Sequence, residues 1–239
     1  MISGNYKEVT REEALRIAPQ YAEAWTGKEI AERQLEWAAK PEIDKYRKGA
    51  AVLPFDALVQ CLLRIEKYDG DIGTKKILDV GGASGYYSEI LKIAGFKNPY
   101  SVLDISEHFK NLCEKNFPGT PFFLGDAREL PFDDNTWDIL ISGCCMLHIP
   151  EYEQIVSESV RVAKDWVIFH RTPVVRGRPT QYFVKEAYGI PCIEIHFEER
   201  ELLNLFYKHG LMAEYIHDVF WTQDEQYGHK DYLLRKVLK

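Results

Sequence analysis

The sequence predicts an α/β domain in which parallel strands alternate with helices, and three stretches carry that prediction. In the first, Lys76-Ile77-Leu78-Asp79-Val80 is a short apolar strand that runs into the glycine-rich turn Gly81-Gly82-Ala83-Ser84-Gly85. In the second, a helical pattern over residues 84–94 is stopped by Gly95 and leads to a strand, Tyr100-Ser101-Val102-Leu103-Asp104, that ends in a carboxylate. In the third, the strand at residues 121–125 is followed by an acidic turn and a further apolar strand at residues 137–142.

Before the sheet, residues 1–70 form an N-terminal helical extension, with periodic segments at 11–18, around 25–39, and at 55–68 behind Pro54. Residues 71–239 hold the strands. The first of these is too apolar for a surface, and glycines at its end let the backbone turn tightly and approach a ligand that a side chain would push away. A helix starting at Ser84 aims free N–H groups and its positive dipole end at that ligand. The glycine positions exclude two cofactor loops. The dinucleotide fingerprint G-x-G-x-x-G has Gly81 here but Ala83 and Tyr86 at its other glycines, and the phosphate-cradling G-x-x-x-x-G-K-[ST] is absent.

Asp104 stands 19 residues after Gly85, at the tip of the adjacent strand, where a carboxylate accepts both hydroxyls of an adenosine ribose. The alternative is that Asp104 or Ser106 caps the following helix. Further on, Gly125-Asp126-Ala127, then Leu130-Pro131-Phe132, precede Trp137-Asp138-Ile139-Leu140. Asp133 and Asp134 between them read as turn formers.

From about residue 75 to 170, these three motifs and their order resemble the S-adenosylmethionine-dependent methyltransferases. The middle glycine of that family's first motif is Ala83 here, and Trp137-Asp138 stands where Phe-Asp is commoner. The resemblance implies a doubly wound, mostly parallel seven-stranded sheet with helices on both faces. It also implies S-adenosyl-L-methionine as cofactor and S-adenosyl-L-homocysteine as product. The cofactor residues would be Asp79, Gly81, Gly82, Ala83, Gly85, Asp104, Ile105, Asp126, Ala127 and Ser142. Asp126 would take the adenine amino group and the Ala127 N–H a ring nitrogen, while Asp79 either reaches the cofactor ammonium through water or orders the glycine loop.

In the family, the segment corresponding to residues 142–150 crosses under the methyl group, which makes His148 the candidate general base for a hydroxyl acceptor. Neutral imidazole is available near pH 7. The competing reading is a packing histidine. Helices before the first strand often cover the cofactor, so Tyr21 and Trp25, with Trp37 and Tyr46, are either pocket residues or packing anchors. Arg47 and Lys48 are either ligands of the cofactor's carboxylate or solvated charges. A helix at 151–163 and a fifth strand at 165–171 follow. The insertion at 170–191 falls where open sheets place acceptor-binding loops, so His170, Arg171 and Tyr182, with Gln181 and His196, are substrate candidates. A helix at 198–208 and strands at 213–221 and 230–238 close the chain. Arg171-Thr172-Pro173 and Thr180-Gln181 loosely resemble a group of methyltransferases associated with bacterial surface polysaccharides, implying a sugar-type acceptor.

At 239 residues and 46% hydrophobic content the chain can bury one sizeable core. Its net charge of −7 and pI near 5.6 disfavour a bulk nucleic-acid surface, although Arg171, Arg176 and Arg178 make a local basic loop. Cys61, Cys113, Cys144, Cys145 and Cys192 lack metal-ligand spacing and read as reduced core residues, with no metal expected. Residues 1–10 are too polar for a signal peptide and no apolar stretch is long enough for a bilayer, so the expectation is cytoplasmic. The activity expected is O- or N-methylation of a small-molecule or glycan acceptor. Two rivals stand beside it: a catalytically silent S-adenosylmethionine-binding module acting through a protein partner, and a nicotinamide oxidoreductase, which Ala83 and Tyr86 disfavour. The sequence assigns no oligomeric state.

Overall fold

The computed structural model describes residues 6–237. Expectations for residues 1–5 and for the end of the last strand at Leu238 lie outside them. The chain begins with β1 (Lys7–Val9) and α1 (Arg11–Ala24), whose N-terminus is capped by the Thr10 hydroxyl accepting from the Glu13 N–H at 3.1 Å. Helix α2 (Lys28–Arg33), a π-helical segment (Gln34–Ala39) and α3 (Lys40–Arg47) then run on without a break. The helix expected over 25–39 is thus split and extended. Pro41 supplies the reason: it has no N–H for the preceding turn and its ring crowds the Trp37 carbonyl, so the backbone widens there instead of continuing as α.

Helix α4 (Leu53–Asp69) leads into the alternating region of β2 (Ile77–Val80), α5 (Tyr87–Ile93), β3 (Tyr100–Asp104), α6 (Glu107–Asn116), β4 (Phe122–Leu124), β5 (Trp137–Gly143), α7 (Tyr152–Val162) and β6 (Ala163–Val175). Beyond it lie β7 (Gln181–Ala187), β8 (Ile190–Glu198), α8 (Glu199–Lys208), β9 (Leu211–Trp221) and β10 (Tyr227–Lys236). Seven strands form the doubly wound sheet in the order β4-β3-β2-β5-β6-β10-β9, parallel except for the two pairings of β10. The expected seven-stranded sheet is present, and three antiparallel strands, β1-β7-β8, extend it where β8 joins the end of β6 at Val174 and Val175.

Strand residues alternate between two apolar layers. Ile77, Ile139, Ile141 and Ile168 pack with Leu58, Leu62 and Ile65 of α4 and Ile90 of α5. Leu78, Leu140, Val167 and Phe169 pack with Ile155 and Val156 of α7 and Phe206 of α8. Helix α4, although in the N-terminal extension, is therefore part of the sheet's own core.

Two further expectations are corrected. The helix predicted from Ser84 starts only at Tyr87, because Gly81 (φ 69°), Ala83 (φ 49°) and Gly85 (φ 76°) are left-handed and a helix cannot pass through them. The insertion read as acceptor loops is the β7–β8 hairpin, and the fifth strand runs four residues past Arg171 because β10 and β8 both pair with its far end.

Candidate active site

At the C-terminal ends of β2, β3, β5 and β6 a cavity of about 660 Å³ opens between the sheet and the N-terminal helices. Its near side is the turn after β2. A Cβ on Gly81 would come within 2.4 Å of the Cys145 Sγ, and one on Gly82 within 2.7 Å of the Asp79 carboxylate, so glycine is required at both for the turn to sit this close. Ala83 donates its N–H to Asp104 Oδ2 at 3.0 Å, and Ser106 donates its N–H to Oδ1 at 3.1 Å. Asp104 is a wall residue and not the helix cap, which is Ser106, accepting from the Phe109 N–H. Burial raises the Asp104 carboxyl to about 6 against the pull of these backbone donors.

Asp79 lies behind the turn and not on the cavity wall. The Tyr100 hydroxyl donates to its Oδ2, its Oδ1 has no partner among the described residues, and burial pushes its carboxyl up to about 7. Of the two readings of Asp79, a cofactor contact would have to pass through the glycine turn, since the carboxylate is off the cavity wall. Asp126 and Ala127 line the cavity, but the Asp126 carboxylate is gripped by Arg128, Nη2 to Oδ2 at 2.7 Å and Nε to Oδ1 at 3.1 Å. Burial works against it, yet Arg128 holds the carboxyl below its usual range. Arg128 also reaches Glu151 at 3.1 Å.

On the far side, His148 closes a 3₁₀ turn (Met146–His148) after β5. Its Nδ1 lies 2.6 Å from the Ile193 carbonyl oxygen. A carbonyl only accepts, so Nδ1 carries the proton and Nε2 presents a lone pair. Burial lowers the imidazole pKa to about 4, against that hydrogen bond, and the Trp25 ring covers it at 4.8 Å between centroids.

Of the expected site residues, Gly81, Gly82, Ala83, Asp104, Ile105, Asp126, Ala127, His148, Trp25 and Arg171 share this cavity. Asp79, Gly85, Ser142, Tyr21, His170 and Tyr182 do not reach its wall. Gly85 packs against Cys113 and Val102, and Ser142 is buried in β5 with an unpartnered hydroxyl. Tyr21 packs on the core beneath α1, and Tyr182 is buried between β1 and β8. His170 is buried against Asp231, Nδ1 to Oδ2 at 2.9 Å. Gln181 and His196 face a separate surface cleft, and Arg47 pairs with Asp44 and Glu89. Cys144 and Cys145, expected in the core, sit on the cavity wall. The hairpin adds Lys185, Tyr188 and Glu194, and β10 adds His229. Their chemistry was visible in the sequence, but long-range pairing brings them to the cavity: β7 with β1 and β8, β8 with β6, the Arg33 guanidinium with the Tyr188 carbonyl at 3.1 Å, and β10 with β6.

Residues 78–169, from β2 into β6, match a family model described as a methyltransferase domain. A phthiotriol/phenolphthiotriol dimycocerosates methyltransferase of Mycobacterium tuberculosis is 33% identical over 100 residues, covering 39% of this chain and 36% of the relative. The demethylmenaquinone methyltransferase of Bacillus subtilis is 33% identical over 126 residues, covering 48% of this chain and 54% of the relative. The chain thus spans about a third to a half of the length of these curated relatives. Among solved structures, the 1,6-didemethyltoxoflavin-N1-methyltransferase of Burkholderia thailandensis, with its substrate and S-adenosylhomocysteine bound, superposes with a TM-score of 0.56. It is 12% identical and the match covers 100% of this chain and 97% of that one. The fold is that of the S-adenosylmethionine-dependent methyltransferases.

Proposed function

We propose that this protein transfers a methyl group from S-adenosylmethionine to a hydroxyl or amine of a small-molecule acceptor. The observation that carries this reading is one cavity joining the Gly81–Ala83 turn and Asp104 to His148 and Trp25. Its volume of about 660 Å³ suits a cofactor with a small acceptor beside it. The curated relatives are named for a phthiotriol dimycocerosate and a demethylmenaquinone, which supports a small organic acceptor over a glycan.

The cofactor's sulfonium supplies an activated methyl group, which leaves placement as the protein's main task. Asp104 accepts the ribose hydroxyls with the oxygen lone pairs that Ala83 and Ser106 leave free. Ile105 and Phe109 would hold the adenine, and its amino group would be offered the Asp126 carboxylate, which Arg128 already shares. The open turn at Gly81 and Gly82 lets the amino-acid arm lie against backbone. His148, held by Ile193, accepts the acceptor's proton at Nε2, beside the Trp25 ring. Orientation of this kind supplies on the order of 7 to 11 kcal/mol, more than the roughly 10²- to 10⁴-fold of one general base.

Calorimetric titration of the purified chain with S-adenosylhomocysteine, with NAD as control, tests the cofactor assignment without knowing the acceptor. Saturable binding of the first alone is the expected result. Binding of NAD, or of neither, overturns it, and binding without turnover across an acceptor screen leaves the partner-binding module.

A further inference from the structure

Arg171 lines the cavity from β6, yet among the described residues its guanidinium has neither an ion pair nor a hydrogen bond. Its surroundings are the phenols of Tyr86, Tyr87 and Tyr188 and the Cys144 thiol. The carboxylate on the same wall, Glu194, is already taken by Lys185, by His196 at 2.8 Å and by the Tyr6 hydroxyl at 2.9 Å. Asp231 is committed as well, with Oδ2 to His170 and Oδ1 to the Arg171 backbone N–H at 2.8 Å. A guanidinium taken out of bulk water without an anion is costly, and its planar fork matches a carboxylate.

The backbone is shaped to aim this side chain. Lys230 pairs with Thr172 and Tyr232 with Phe169, so Asp231 alone opposes both His170 and Arg171. Two residues opposite one make a bulge, a device that redirects a side chain, and Arg171 adopts a left-handed φ of 56° within it. The Asp231 carboxylate ties both bulged residues in place. Trp25 and Tyr188, 6.4 Å apart between ring centroids, line the same end of the cavity.

We infer that Arg171 receives the carboxylate of the acceptor, whose body is a planar apolar group lying against Trp25 and Tyr188. This rests on the methyltransferase reading above and narrows its substrate class to organic acids. The strand order β3-β2-β5-β6 puts three strand spacings, about 14 Å, between the ends that carry Asp104 and Arg171. Asp104 and Arg171 therefore stand at well-separated strand ends on the floor of the cavity.

Benzoate and its neutral isostere benzamide are the probes, titrated calorimetrically into the full chain with and without saturating S-adenosylhomocysteine. Wild-type protein is expected to bind benzoate at least tenfold more tightly than benzamide. Arg171→Lys keeps that preference and Arg171→Met loses it, with S-adenosylhomocysteine affinity within twofold in all three. Equal binding of the two probes by wild-type protein overturns the inference, whether or not the methionine variant folds, and so does a preference that survives Arg171→Met. A tenfold loss of S-adenosylhomocysteine affinity in Arg171→Met, with adenosine binding intact, also overturns it by assigning the arginine to the cofactor's carboxylate. If wild-type protein does not bind S-adenosylhomocysteine at all, the methyltransferase reading falls, and the titrations without it still report whether Arg171 selects an anion.

Discussion

Asp104 and His148 are both set by burial, in opposite senses, and each has a pH signature. The Asp104 carboxyl, raised to about 6, is partly protonated at pH 6, whereas a ribose hydroxyl donates best to the ionised form. S-adenosylhomocysteine affinity should therefore rise as pH increases from 5 to 7, approaching tenfold per unit at the steepest. Asp104→Asn should bind weakly with a flat profile, and a wild-type affinity independent of pH would remove Asp104 from the ribose. For His148 the base must be unprotonated, so kcat/KM for the acceptor, measured with S-adenosylmethionine saturating at every pH, should rise through about 4 and be level by pH 6, without the limb near 6.5 of an ordinary histidine. His148→Ala should lower turnover by roughly 10²- to 10⁴-fold. An equal kcat in the variant would make His148 a packing residue. Ala83 was legible as the departure from a glycine pattern, and its consequence is visible in its φ of 49°. Ala83→Gly should relieve strain and stabilise the fold by about 1 kcal/mol, read as a shift in denaturant midpoint.

At the scale of elements, β2, β3 and the turn between β2 and α5 were legible because buried parallel strands and glycine turns leave local marks in sequence. Their ends were less so. Nothing local distinguishes a helix beginning at Ser84 from one beginning at Tyr87, since the difference lies in whether Ala83 and Gly85 are left-handed. The β7–β8 hairpin was missed for another reason: its first strand is stabilised by β1, some 175 residues away, and long-range pairing has no periodic signature. Arg171 was readable as a residue, but the bulge that aims it depends on Asp231. The glycine turn also allows a controlled comparison. Gly85 and Gly119 both have positive φ, but a Cβ on Gly85 meets Cys113 Sγ at 2.9 Å and Val102 at 3.0 Å, whereas one on Gly119 meets nothing within 4 Å. Gly119→Ala should lose only the conformational term, about 1 kcal/mol. Gly85→Ala should lose a further 1 to 3 kcal/mol through overpacking. Equal losses in urea denaturation would show that the turn yields freely.

Across the whole molecule, the cavity leaves titratable groups buried on both sides of it, and together they shape stability as a function of pH. Asp79, raised to about 7, and Asp104, raised to about 6, keep protons in the folded chain that the unfolded chain has released above about 4. Their contribution is present at low pH and is lost as pH rises through these folded values. His148 and His229, both lowered to about 4, refuse protons that the unfolded chain takes up below about 6.5, so their contribution is present at neutral pH and is lost as pH falls toward 4. Between 4 and 6.5 the two pairs oppose each other, and the wild-type profile there should be shallow. Asp79→Asn isolates one side of this balance, because the amide oxygen still accepts from the Tyr100 hydroxyl but carries no charge to bury. The unfolding free energy of the variant relative to wild type should grow in the variant's favour as pH rises from 4 to 7, by on the order of 3 to 4 kcal/mol, and then level off. The variant's own profile should slope upward from pH 4 to 6.5, exposing the two histidines. A difference constant between pH 4 and 8 would mean that Asp79 is ionised throughout the range, held by a partner other than Tyr100.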